Sequence, residues 1–401
     1  MVRPERRTRG DLVAVALLVV AVLLGGVLVW LGSDARATRS EVAEHPPPAP
    51  TAPAAVPPTL SEAWRAPSPG TPRPAVAGPS AVTGSGGEVV GHDPATGERR
   101  WSYARDLPLC TVGAEWGRAI AVHRKSHNCS EVTSLEGSTG KRGPQRNSDV
   151  DLGTQLLSDG RYVTASGQQV IESWRSDLVR TQQFGVPAAP KNPDNNLKRP
   201  ECRHSSVAVG HGRVGLVESC PRESGERLTV IKAHPSSDEK PEEVFSIGVG
   251  SSETGAVAVN EQRAAAVSRD TGQLQIYDAT GKNLGDFPVR TGAPGFGGST
   301  ANEATAQGPQ KYWFTGVDTV ALDPDGLYPR WTIPDTLGPG VIFGGRLVVP
   351  TREGLAVHDP NTGARERVIP IDRQNDEGPV HLGSVGDTLL EQRGNTLVAL
   401  R

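Results

Sequence analysis

Four cysteines and the basic residues around them carry most of the reactive chemistry in this 401-residue sequence. His123, Arg124, Lys125 and His127 lie between Cys110 and Cys129, and the string ECRH puts His204 beside Cys202, with Cys220 following. Thiolate and imidazole together raise the question of a metal, but no C-x2-C pair occurs and two basic residues separate the histidines. The cysteines are instead read as disulfides pinning surface loops, with solvated histidines beside them. Pairing sequence neighbours, Cys110–Cys129 and Cys202–Cys220, keeps each bridge within one unit of the repeat described below. Asn128-Cys129-Ser130 matches a glycosylation acceptor by chance.

Other chemistries find less support. The turns DPATG and DPNTG hold one carboxylate each, where calcium needs several converging oxygens. No G-x-S-x-G, phosphate-binding loop or HExxH string is present. The Gly-rich stretch 292–310 follows no strand-to-helix pattern and reads as a connector. A net charge of −3 without a basic stripe leaves no field for nucleic acid. No catalytic, cofactor-binding or metal-ligating residue is assigned, and no cofactor is expected.

The elements that position these residues recur. With 47 Gly and 34 Pro, the chain favours short strands and turns over long helices. One unit is clearest in VVGHDPATGERRWSY (89–103), with copies at 274–289, 319–334 and 355–371 and degenerate copies at 131–146, 170–185 and 228–247. Asp93, Asp278 and Asp359 can accept from backbone N–H groups two or three residues on, closing an Asx-type turn. Gly97, Gly281 and Gly363 can take the positive φ that reverses the chain. Trp101, Phe287 and Trp331 then fall on the outgoing strand, where they can pack between sheets. Two further strands precede each copy, giving eight units of about 43 residues over 61–401. Four strands per unit at that period predict an all-β fold, an eight-bladed β-propeller with seven blades as the alternative.

The string Asp93-Pro94-Ala95-Thr96-Gly97 followed by Trp101 resembles the repeat of quinoprotein-type propellers, the PQQ-binding-like superfamily. That superfamily includes quinoprotein alcohol dehydrogenases and the scaffold lipoprotein of the outer-membrane barrel-assembly machine. The dehydrogenases set a disulfide of adjacent cysteines against the quinone and coordinate calcium with carboxylates. No two cysteines are adjacent here, so the resemblance is nearer the scaffold. It implies a protein-binding accessory subunit of a cell-envelope complex; a quinoprotein-like oxidoreductase or a cofactor- or glycan-binding propeller is the alternative.

The unbroken apolar run Leu12–Leu31 spans about 30 Å as a helix, enough for a bilayer core. Arg3, Arg6, Arg7 and Arg9 precede it, so positive-inside bias keeps residues 1–11 cytoplasmic and exports the rest. A cleaved signal peptide is the rival, but the run exceeds a signal's apolar region. Residues 32–59, with seven prolines from Pro46 to Pro58, read as a semi-rigid spacer whose proline-rich part reaches about 40 Å. The propeller then occupies 60–401. Its last unit lacks an outer strand, while SEAWRAP (61–67) stands alone with Trp64 at the aromatic position. Residues 61–66 are therefore expected to complete the eighth blade beside NTLVALR.

Overall fold

The computed structural model describes residues 8–187, 198–238, 240–250, 253–292, 305–307, 310–374 and 378–401; most of the Gly-rich stretch 292–310 lies outside the described residues. The repeat folds as expected, into eight blades and not seven. Blades 2 to 7 are four-stranded antiparallel meanders at 109–147, 155–185, 203–248, 254–288, 305–333 and 341–370. Blade 1 comprises 75–104, and blade 8 comprises 380–400 with Glu62–Pro67 as its outer strand. Successive side chains along each strand point to opposite faces, one to each neighbouring blade, so inner strands such as Thr254–Val259 are buried throughout. Ala77, Ala121, Ala165 and Ala266 are almost wholly enclosed, because only small side chains fit where sheets crowd together.

Ring closure follows the sequence reading. Glu62–Pro67 pairs antiparallel with Thr396–Leu400, Trp64 opposite Ala399. Ser61 and Arg401 exchange both backbone bonds, at 2.8 and 2.9 Å. Gln392 donates to Ser68 O at 3.1 Å and accepts from Thr71 Oγ1 at 3.0 Å, which fastens the following turn. One detail differs: the Trp64 ring is partly rather than fully buried.

A meander places its first and third connections at one end of the sheet. The second connection and the crossing to the next blade lie at the other. The ring therefore has a turn face, with the DPATG-type turns, and a loop face.

The segment read as a semi-rigid spacer is partly docked on the propeller. Arg39–Glu41 adds a fifth strand to blade 1, pairing with Ala104 to Ser102 at the edge of Arg99–Ala104. The direction of this strand carries the chain from the loop face to the turn face, where Ala43 N–H donates to Thr139 O at 2.9 Å. Pro50 then lies against Gly386 and Val56 against Gly344, both at inner hairpin tips of blades 8 and 7. Val56 and Leu60 are buried in the core cluster shared by those blades. An unpaired sheet edge offers hydrogen bonds that an extended chain of any sequence can accept, which explains the fifth strand.

The N-terminal helix runs from Arg9 to Leu31, three residues longer than the apolar run, because Thr8 and Asp11 form a reciprocal capping box. Its side chains are exposed on all sides and its mean hydropathy reaches 3.2, so length and composition suit a membrane crossing.

Two truncations test the clasp. Deleting 60–67 removes a blade strand and should lower stability by several kcal/mol, on the order of burying two or three large side chains. Deleting 40–55 removes the fifth strand and surface packing and should cost distinctly less. Equal urea midpoints for the two would contradict the closure.

Candidate functional site

The turn face is built from one repeated contact. In blade 1, Asp93 Oδ1 accepts from Ala95 N at 2.8 Å and Thr96 N at 3.0 Å. In blade 7, Asp359 Oδ1 accepts from Asn361 N at 2.9 Å and Thr362 N at 3.0 Å. These backbone donors hold the Asp359 carboxyl below its usual range. Gly97 and Gly363 close the turns at φ +75° and +73°. Each glycine lies beneath an aromatic ring from the preceding blade. A Cβ on Gly97 would come within 2.6 Å of Trp64, on Gly140 within 2.7 Å of Trp101, and on Gly363 within 2.7 Å of Trp331. The indole N–H donates to the same turn in each case: Trp64 to Pro94 O at 2.8 Å, Trp101 to Gly137 O at 2.8 Å and Trp331 to Asn361 O at 3.0 Å. Ile247 and the Phe245 ring together cover Gly281, without a ring N–H to donate. Phe287 instead meets Tyr328 edge-on at 5.6 Å, since blade 6 turns through Leu327 at φ +60°. Between blades 2 and 3, Arg146 replaces the aromatic, donating to Leu178 O at 2.7 Å. The aromatics singled out in the sequence are thus fasteners between blades.

Inside the ring, the innermost strands leave an axial cavity of about 570 Å³ lined by Arg73, Glu115, Asp159, His211 and Lys311 among others. Its carboxylates are already engaged. Glu115 accepts from Trp116 N at 3.0 Å and from the Ser158 hydroxyl. Asp159 accepts from Tyr162 N at 2.7 Å and from Gly212 N of the next blade at 2.6 Å. A smaller hollow of about 310 Å³ adjoins it between Arg73, Pro339 and His381. Burial, and then the Arg73 charge, push the His381 imidazole down to about 3. This donor set does not fit the quinone and calcium of the dehydrogenases: the carboxylates brace hairpins, and the cysteines lie within blades 2 and 4.

The structure joins Cys110 to Cys129, Cα atoms 6.0 Å apart, and Cys202 to Cys220, 4.2 Å apart. The second bridge ties the ends of adjacent strands, Arg203–Gly210 and Arg213–Ser219. The first reaches past a middle strand, and bulges beside Cys110 and at 123–125 let it do so.

The histidines correct the sequence reading, since two of the three are not solvated. His123, at an H-x3-H spacing from the exposed His127, is wholly buried against Tyr103 of blade 1 and lies 3.2 Å from Gly87 O. His204 is buried beside Phe184 of blade 3. Among the described residues no group of three or more His, Cys, Asp or Glu side chains converges on a metal position.

No family model matches this chain, and no curated protein matches it. Solved structures match in fold. BamB from Moraxella catarrhalis has a TM-score of 0.53 and 14% identity, covering 86% of this chain and 100% of its own. The computationally designed Ika8 protein has a TM-score of 0.51 and 13% identity, covering 82% of this chain and 95% of its own. Saccharomyces cerevisiae Sqt1 has a TM-score of 0.51 and 10% identity, covering 87% and 99%. Identities this low establish shared architecture, an eight-bladed β-propeller, and nothing about activity.

Burial pushes the His123 imidazole down to about 4, from 6.5. Below pH 6.5 the unfolded chain therefore binds a proton that the folded chain refuses, and stability falls as the pH drops through this window. His123 alone should cost about 3 kcal/mol between pH 7 and pH 4. Urea unfolding at both values should show that loss, and His123→Gln should reduce it. An unchanged acid dependence in the variant would contradict the assignment.

Proposed function

We propose that this chain is a membrane-anchored, extracytoplasmic scaffold, a protein-binding accessory subunit of a cell-envelope complex. One observation carries the reading: the apolar helix is followed within a few residues by a strand paired into the propeller, so the helix fixes the ring instead of trailing from it. A large rigid ring fixed at a membrane, with braced carboxylates in its channel, is suited to presenting a surface rather than turning over a substrate. The arginines before the helix favour export of the ring, and its two disulfides accord with an oxidising compartment. The likeness to BamB and Sqt1 is consistent with this reading at the level of fold.

The surface in question is the turn face beside the channel mouth, where the exposed His211 stands at a hairpin tip. A photo-cross-linking residue at position 211 in the intact chain should capture one envelope protein reproducibly. The same residue at Leu284, on the outer rim of blade 5, should not. Identical capture patterns, or none from 211, would contradict the assignment of the face. A reporter fluorescent only in the cytoplasm, fused after Arg401, should stay dark. Dye-linked turnover with added PQQ and calcium would replace the scaffold reading with an enzymatic one.

A further inference from the structure

A continuous strip of the loop face begins at the end of the N-terminal helix. The helix ends at Leu31 and the fifth strand begins at Arg39, so residues 32–38 alone connect them. Seven extended residues reach at most about 25 Å. The outer edge of blade 1 therefore lies within about 25 Å of the bilayer surface that holds the helix. Leu31, Gly32, Ser33 and Arg36 share a cleft with Arg105, Asp106 and Leu107, the loop that crosses from blade 1 to blade 2. Pro108 O of that loop accepts from Arg124 N at 2.8 Å, which ties it to the hairpin tip Arg124-Lys125-Ser126-His127. The base of this hairpin is bonded to the next crossing loop through Cys129 N to Val150 O at 2.9 Å and Asn128 Nδ2 to Ser148 O at 3.4 Å. That loop ends at Leu152, 46% exposed.

The composition of the strip is unusual for this molecule. Outside the helix, the large apolar side chains that stand exposed among the described residues are Val42, Leu152, Val179, Leu284 and Tyr328. Val42 follows the fifth strand toward the turn face, and Val179, Leu284 and Tyr328 lie at or beside turn-face turns. Leu152 is the one on the loop face. Beside it the hairpin tip is exposed over four consecutive residues, three of them basic or titratable, and Arg36 and Arg39 are exposed on the connection from the helix. The Arg36 guanidinium lies 5.8 Å from the centre of the Trp30 ring, a pairing typical of the interface. Asp106 is also exposed in the cleft and Lys125 lies 3.7 Å from Glu131, but cations predominate among the exposed side chains beside Leu152, and an apolar tip among cations is the pattern that settles into an anionic headgroup layer.

We propose that this strip, from Arg36 through Arg124 and Lys125 to Leu152, is a second membrane contact that docks the loop face of blades 1–3 onto anionic lipid headgroups. The proposal rests on the helix being a membrane anchor. Docking fixes the tilt of the ring and leaves the turn face directed away from the bilayer. The occupant is the lipid surface because the seven-residue connection delivers the strip there; a protein occupant is an outcome of the test.

The test uses the full chain in lipid nanodiscs, comparing wholly zwitterionic lipid with a mixture containing phosphatidylglycerol. Amide exchange at 124–128 and 151–153 should slow by about fivefold or more in the anionic discs, the effect of roughly one basic side chain at an anionic surface. Exchange at 315–318, on blade 6 across the ring, should not change. The Arg124→Glu variant should lose most of the lipid dependence while keeping the same unfolding midpoint, since the Arg124 head group is exposed and pairs with no carboxylate among the described residues. Equal exchange in both lipids, with the chain firmly inserted, would overturn the docking proposal and leave the anchor intact. Extraction of the chain from membranes by alkaline carbonate would instead remove the anchor itself. Protection appearing only when a membrane extract is added, whatever the lipid, would overturn the proposal in favour of a protein occupant.

Discussion

The contact that recurs most between blades is an aromatic ring from one blade laid on the turn glycine of the next. The turn needs a residue at positive φ, and the ring needs the space where a Cβ would stand, so glycine meets both demands. The indole N–H then donates to a carbonyl of the same turn, which fixes the ring against it. Because the contact joins neighbouring blades, each one orients the following sheet; it recurs at four of the eight junctions, at Gly97, Gly140, Gly281 and Gly363, while Arg146 and the Phe287–Tyr328 pair serve two others. Closure adds the same contact to the pairing of Glu62–Pro67 with Thr396–Leu400. Trp64 comes from the start of the domain and meets Gly97 as Trp331 meets Gly363, so the two chain ends are joined by the contact used elsewhere.

The loop face is held differently, by buried polar groups. Glu391 is fully enclosed between Arg373 and Arg393 at 2.6 Å from each. Arg373 also donates to Thr351 O and Gly354 O of blade 7, so the trio fixes how blade 8 sits on blade 7. Such networks add little net stability after desolvation, but a half-broken one is costly, which favours a single arrangement. Asp151 does comparable work in blade 3, accepting from Gln168 N at 2.8 Å and Gln169 N at 3.2 Å.

Much of this was legible in the sequence because the turns are local. Asp, Gly and a following aromatic at fixed offsets specify a hairpin and its outward ring within fifteen residues, and an aromatic without a hairpin partner pointed to the clasp. Other features depend on what lies across a junction. Arg39-Ser40-Glu41 carries no alternation, since an outer fifth strand is exposed on both sides and its pairing is supplied by blade 1. Prolines spoke for a semi-rigid spacer; Val56 and Leu60 were the apolar signals that part of it is docked. His123 could have been placed by alternation, because it shares a face with Ala119 and Ala121. His204 could not, because the bulge between His204 and Ser206 shifts the phase of its strand.

The central claim is tested most directly by a double-mutant cycle at the closing contact. Trp64→Ala removes the ring, and Gly97→Ala places a methyl group where the ring lies while straining the turn. The account predicts non-additive urea stabilities: Gly97→Ala should be clearly less harmful once Trp64 is gone, by about 1 kcal/mol or more. Additive losses would mean that the ring and the turn do not act on each other, and that the propeller is closed by backbone pairing alone.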